Sequence, residues 1–309
     1  MKLYAPAYYK DYECIADRCS HSCCIGWEID IDSNTAEKYA ALSGGYGENV
    51  KSSIEWADDD ECLPHFKLCE NDRCPHLNDR GLCRIILEMG EGYLCDICRE
   101  HPRFYNDTAR GREVGLGIAC EEAARLVLSS DNYAKMVEIG DDCDGDNEPL
   151  TDFDAVVKRE KIYAVLSDRK RPFYDRLAQI YTDFGVSPQI MSDDGWRELF
   201  SSLEYLDESH KALFADYSSA LDGEACPCEM LERALAYFVF RHCSKAYDEG
   251  EFKASLGFSL VCERLLSALA RAQGACTVEA LIPLVVAISE ELEYSEENTD
   301  SIRFEFEIV

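Results

Sequence analysis

The chain has 309 residues, 61 acidic against 31 basic side chains, a formal net charge of -30 and a hydrophobic fraction of 47%. That length exceeds one typical domain and can bury a sizeable core, while the charge excludes a nucleic-acid backbone or an anionic membrane surface as partner. No stretch approaches the roughly 20 consecutive apolar residues that cross a bilayer, and MKLYAPAYYKDYE lacks the apolar segment of a signal peptide, so the expected compartment is the cytoplasm.

Residues 1 to 13, with Tyr4, Tyr8, Tyr9, Tyr12 and Pro6, read as a short aromatic segment that packs across the loop after it. That loop, CIADRCSHSCC, sets Cys14, Cys19, Cys23 and Cys24 within eleven residues. In GWEIDID the alternation of Trp27, Ile29 and Ile31 with acids predicts a short strand. A helix is expected next, capped by Asn34 with Glu37 three residues on and ended by Gly44 and Gly45. Residues 46 to 73 read as loop and short strand. CPHLNDRGLCRI follows, its turn at Asn78 to Gly81 bringing Cys74 and Cys83 back toward each other. Cys95 and Cys98 then form a C-x-x-C, followed by His101, Pro102 and Arg103. CEEAARLVL predicts a helix with Cys120 at its N-terminus, where a thiol is biased toward thiolate.

A polar break, DDCDGDNEPLTD, places a domain boundary at about 140. Beyond it the three- and four-residue apolar spacing is helical, as in Leu231, Leu235, Phe238 and His242. Pro283 is expected to kink its helix or confine it to one side, and SIRFEFEIV, alternating Ile302, Phe304, Phe306 and Ile308, suggests a terminal strand. The expected fold is mainly α: an irregular cysteine-rich metal-binding domain with short strands over residues 1–140, followed by a helical bundle domain over 141–309.

Of the 17 cysteines, an odd number, eleven lie in the first 120 residues. Cytosolic thiols stay reduced, so such density points to metal or catalysis before disulfides. Zinc and iron-sulfur sites both use thiolates in fours. The C-x-x-C suits a zinc knuckle, and Cys69 with Cys74 makes a weaker one. Adjacent Cys23 and Cys24 suit a wider iron-sulfur cluster better than one tetrahedron. Cys62, Cys69, Cys143, Cys226, Cys228, Cys243, Cys262 and Cys276, isolated in the sequence, read as small apolar core residues.

CIADRCSHSCCIGWEIDID, CPHLNDRGLCRI, CREHPR and CEEAARLVL, with YFVFRH and EYSEEN further on, resemble the flagellin lysine-N-methylases, which carry a cysteine-rich zinc- or iron-chelating domain named for its CxxCxxCC pattern. The resemblance implies methyl transfer from S-adenosylmethionine to flagellin lysines and a [4Fe-4S] cluster, with zinc as the alternative. The metal-site positions it implies are Cys14, Cys19, Cys23, Cys24, Cys74, Cys83, Cys98 and Cys120, more than one cluster needs; Cys95 is extra. Beside them, Arg99 and Arg103 either hold a carboxylate of the methyl donor, neutralise cluster charge, or form structural salt bridges. His21, His65, His76 and His101 read as polar supports rather than ligands.

Neither a G-x-G-x-x-G between strand and helix nor the C-x3-C-x2-C triplet of radical enzymes occurs here, so local sequence leaves the donor site open. The competing reading is a non-catalytic module in which zinc or iron staples an irregular fold for protein interaction.

Overall fold

A computed structural model of the chain describes residues 1–20, 22–56, 63–141, 153–218 and 228–307. The fold is mainly α and divides into two compact units, Glu13–Pro102 and Met1–Tyr12 with Arg103–Val309. The division thus falls at 12/13 and 102/103, whereas composition pointed to 140/141, beside residues outside the described ones. The N-terminal segment is no mere cover for the cysteine loop: it is β1 (Lys2–Pro6), an inner strand of the larger unit's sheet.

In the Glu13–Pro102 unit, GWEIDID forms no strand. Its alternation survives as burial of Ile29 and Ile31 and as backbone bonds from Ile31 N to Pro64 O and from Phe66 N to Ile29 O. The helix after it is α1 (Ser33–Ala40), capped by Asp32 rather than Asn34, with Asp32 Oδ1 accepting from Thr35 N at 2.9 Å. The stretch expected to be loop contains α2 (Gly47–Ser52) before the two-residue antiparallel pair β2 (Ile54–Glu55) and β3 (His65–Phe66). α3 (Arg84–Met89) and α4 (Asp96–Glu100) complete the unit. Ile29, Ile31, Tyr39, Val50, Ile54, Phe66 and Ile85 make its core, and Cys74 and Cys95 belong to it.

The other unit holds a four-stranded sheet that the sequence reading missed. β4 (Arg103–Thr108) and β5 (Gly111–Leu116) form an antiparallel hairpin, α5 (Glu121–Ser129) follows, and β6 (Met136–Asp141) pairs antiparallel with β1. The strand order is β4-β5-β1-β6, with β1 parallel to β5 in the register Leu3 to Arg112.

Helices α6 (Ala155–Leu166), α7 (Phe173–Phe184), α8 (Asp193–Ser202), α10 (Cys228–Cys243) and α11 (Glu249–Gln273) fall where periodicity placed them, and α9 (Glu208–Phe214) is a further helix between α8 and α10. α12 (Val278–Ile288) runs through Pro283 and passes into a π-helical turn, Ser289–Glu293. The end of the chain is not a strand but α13 (Glu296–Glu307). Ile302 and Phe306, one helical turn apart, are buried, while Phe304 between them is 56% exposed. Phe306 lies on α11 at Gly257, where an added Cβ would meet its ring at 2.2 Å. Long-range packing therefore overrode a local period of two.

Helix α6 is tied to the sheet by a buried ion pair. Arg159 donates from both terminal nitrogens to Glu113 on β5, at 2.5 and 2.8 Å, and also to Ser244 Oγ. Their side chains are 2% and 6% exposed, so removing one partner strands a buried charge. Glu113→Gln should cost about 3–5 kcal/mol in urea unfolding, and the double replacement Glu113→Leu with Arg159→Met much less.

Candidate functional site

Every cysteine among the described residues is an unbridged thiol. Five of them, Cys24, Cys74, Cys83, Cys95 and Cys98, pack against the small unit's core. The chain places them by short-range bonds. Cys74 N donates to Cys24 O at 2.9 Å, which fixes the first cysteine loop to the second. The turn returning Cys83 is closed by Asn78 N to Leu82 O, and Asn78 Oδ1 accepts from Arg80 N and Leu82 N. Gly81, at φ +73, supplies the left-handed residue this turn needs. Arg73 donates across it to Leu77 O and Asn78 O. Cys95 caps α4 and Cys98 lies within it. Asp32 Oδ2 accepts from Asp96 N at 2.9 Å, so one carboxylate caps both α1 and α4.

The thiols act on one another. A hydrogen bond with Cys23 brings the Cys24 pKa down to about 7 against the effect of burial, helped by Ser22 and Arg73. Burial pushes Cys74 up to about 12, and thiolate charge at Cys24, Cys83 and Cys95 adds to it. Burial likewise raises Cys83, with Cys24 and Cys95 contributing. Cys95 and Cys98 share a hydrogen bond that lowers the pKa of Cys95 and raises that of Cys98. Charge at Cys95, Cys24 and Cys74 raises Cys98 further. A bound cation reverses every upward shift of this kind. The donor set, soft and mutually repelling, thus fits a thiolate-bound metal.

The other sequence candidates are placed differently. Cys14 is exposed, and Cys19, half-buried, ends a 3-10 turn whose Asp17 faces Arg80 at 3.9 Å. Cys23 is exposed beside Cys24. Cys120 belongs to the other unit, as the cap of α5, with Tyr12 Oη 3.7 Å from its sulfur. Cys95, set aside as extra on sequence, is 1% exposed. The signal that could have found it was its C-x-x-C partnership with Cys98. Among the isolated cysteines, Cys243 and Cys262 are buried as expected, Cys228 is half-buried, Cys69 and Cys276 are exposed, and Cys62, Cys143 and Cys226 lie outside the described residues.

Arg99 pairs with Asp96 and Glu100 on its own helix. Arg103 is in the other unit, donating to Tyr9 Oη at 3.0 Å and lying over the rings of Tyr9 and Tyr12. His76 is a satisfied core residue: its ring nitrogens meet Tyr46 Oη and Ser53 Oγ at 2.8 Å each, and burial holds its pKa at about 4. His65 joins Glu28 and Asp30 in the one group, among the described residues, that brings three such ligand atoms within 4.8 Å. Its carboxylates are exposed. His21 lies outside the described residues.

In the larger unit, YFVFRH and EYSEEN converge on one buried carboxylate. Glu293, in the π-helical turn, accepts from Ser289 Oγ at 2.6 Å and Tyr237 Oη at 3.1 Å, faces His242 Nε2 at 2.7 Å and pairs with Arg241 at 3.4 Å. Arg241 also donates to Tyr237 and lies over the rings of Phe104 and Tyr294. Burial opposes ionisation of Glu293, but Arg241, His242 and Ser289 outweigh it and hold the pKa below the ordinary carboxylate value. Burial keeps the His242 pKa below its ordinary 6.5 although Glu293 faces it.

Two outcomes test these arrangements. Asp32→Ala removes two caps and should cost about 1–2 kcal/mol, read as lost hydrogen-exchange protection at the Thr35 and Asp96 amides. His242 charges more readily unfolded than folded, so its contribution is complete above pH 6.5 and is lost as pH falls toward the lower folded value. His242→Gln, which can still donate to Glu293, should flatten the fall of stability with decreasing pH in that window.

No family model matches the chain, and no solved structure matches it. Similar proteins are known. Flagellar biosynthetic protein FliU of Salmonella muenchen is 26% identical over 134 residues, which is 40% of this chain and 75% of that protein. Lysine-N-methylase of Salmonella choleraesuis (strain SC-B67) and that of Salmonella typhimurium (strain LT2) are each 25% identical over 143 residues, 43% of this chain. The matched stretch spans only 34% of the length of each lysine-N-methylase. No helix among the described residues is long and apolar enough to cross a membrane. Over the matched two-fifths of its length, this chain resembles the lysine-N-methylases.

Proposed function

We propose that the protein is a lysine N-methyltransferase acting on flagellin in the cytoplasm, with S-adenosylmethionine as methyl donor and a [4Fe-4S] cluster held by four of the thiols of Cys24, Cys74, Cys83, Cys95 and Cys98. The observation that carries the metal is the packing of these five thiols against one small core. The names of the relatives support the reaction and the flagellar partner. When bound, a cluster would tie the Cys24 loop, the Cys74 to Cys83 turn and α4 into one centre.

In the transfer, lysine Nζ first loses a proton, because an ammonium has no lone pair to donate. The amine then forms the N–C bond as the methyl leaves sulfur, and the sulfonium becomes a neutral thioether. A net charge of -30 suits a partner that presents lysines.

Protein purified without oxygen should contain iron in excess of zinc and transfer labelled methyl from S-adenosylmethionine to flagellin lysines. Cys74→Ser should lose most of the iron and the label, and Cys14→Ser should keep the iron. Absence of label on lysine under reducing conditions overturns the enzyme, leaving the metal-stapled interaction module. Iron retained in full by Cys74→Ser overturns the ligand assignment, and colourless protein with stoichiometric zinc overturns the cluster.

A further inference from the structure

The larger unit has a groove of about 460 Å³ between α7, α11 and the Ser187 to Gln189 turn. Its floor contains Glu263 of α11, which is 2% exposed and whose Oε1 is buried with no hydrogen-bond partner. No hydrogen-bond donor among the described residues meets that oxygen. A buried acceptor left unmet is costly, so such a group calls for an explanation such as a bound partner. Burial pushes Glu263 up to about 8 even though Arg264 and Arg271 both favour its charged form. The carboxyl is therefore close enough to two guanidinium groups to respond to them, yet forms no salt bridge with either among the described residues.

The helix sets the spacing. Glu263, Ser267 and Arg271 follow one another at four-residue intervals and line the same groove. Helical side chains lean toward the N-terminus, and Arg271 does so, donating to Ser267 Oγ at 2.8 Å. Its guanidinium thus sits about one turn back along α11, on the Glu263 side of its own Cα. A buried carboxyl and a guanidinium along one helix face, in a partly desolvated groove, bracket a ligand whose own charges are a few bonds apart. Tyr174 and Tyr181 supply an aromatic wall beside them.

We propose that this groove binds an α-amino acid, or a molecule carrying that group, with the ammonium on Glu263 and the carboxylate on Arg271. S-adenosylmethionine carries the same group; its docking here rests on the methyltransferase reading, whereas the chemistry of the groove does not.

Calorimetry on the full chain, which needs neither iron nor methyl transfer, tests the site with S-adenosylmethionine, L-methionine and L-lysine. Two truncated probes accompany them: L-methionine methyl ester, lacking the carboxylate, and 4-(methylthio)butyrate, lacking the amine. At least one of the three intact molecules should bind ten-fold or more tighter than both truncated probes, and which one binds tightest identifies the source of the headgroup. Glu263→Gln should weaken it about ten-fold and abolish the penalty for the missing amine. Arg271→Gln, at a half-exposed position that keeps the test open if the first variant fails to fold, should abolish the penalty for the missing carboxylate. The proposal is overturned if no intact molecule is preferred to the truncated probes, or if a folded variant binds as the wild type does. A protein that binds the amino-acid group but transfers no methyl keeps this site and loses the enzyme reading.

Discussion

Five thiols packed against one small core cannot all ionise without a cation among them. In the Glu13–Pro102 unit each upward pKa shift has burial or a hydrogen bond as its largest cause and neighbouring thiolates as additional causes. The same constraint explains the architecture around them. The helices there are short, α4 having only five residues, and β2 pairs with β3 over two residues. Elements this short are marginal in water. The described cysteines of this unit form no disulfide. Metal binding would then contribute to folding and to function through the same thiols.

Stability in the larger unit comes from a different source. α10 and α11 are buried along most of their length, and several of the charged groups they bury or face are paired. Arg159 meets Glu113, and Glu232 accepts from Tyr133, Arg169 and Arg176. Such pairs contribute less to net stability than their contacts suggest, but they penalise any packing that separates them. On α11, Ser255 Oγ and Glu263 Oε1 have no such partner among the described residues.

Much of this was legible in the sequence. The helical half follows a 3.6-residue period over long segments, where pattern outweighs local noise. The crowding of thiols was visible in the sequence, and five of them pack against the small unit's core. What local pattern could not supply was pairing at a distance. β1 became an inner strand because β5 and β6, more than a hundred residues away, flank it, and nothing in KLYAP states that. The terminal helix reads as a strand because Ile302, Phe304, Phe306 and Ile308 alternate, and only the cleft at Gly257 selects the helix that buries Phe306. Spacing paired Cys95 with Cys98, and only the positions implied by the resemblance left Cys95 out; its burial beside Cys74 in one core is a matter of the fold.

The π-helical turn shows how two distant stretches come to share one carboxylate. An α-helix continued from α12 would advance its residues by the usual 100° each; the wider turn over Ser289–Glu293 shifts that phase, and such insertions concentrate at functional sites. With that phase Glu293 reaches Tyr237, Arg241 and His242, which lie along one face of α10 at four- and five-residue spacing from Tyr237. Ser289, four residues back, bonds Glu293 and fixes its rotamer. The carboxylate is then held by donors on three sides while Tyr294, next in sequence, stays 36% exposed with Arg241 over its ring. A buried anion is thereby coupled to a partly exposed aromatic through a single guanidinium, so any change at the face of Tyr294 is felt by the ionised group beneath it.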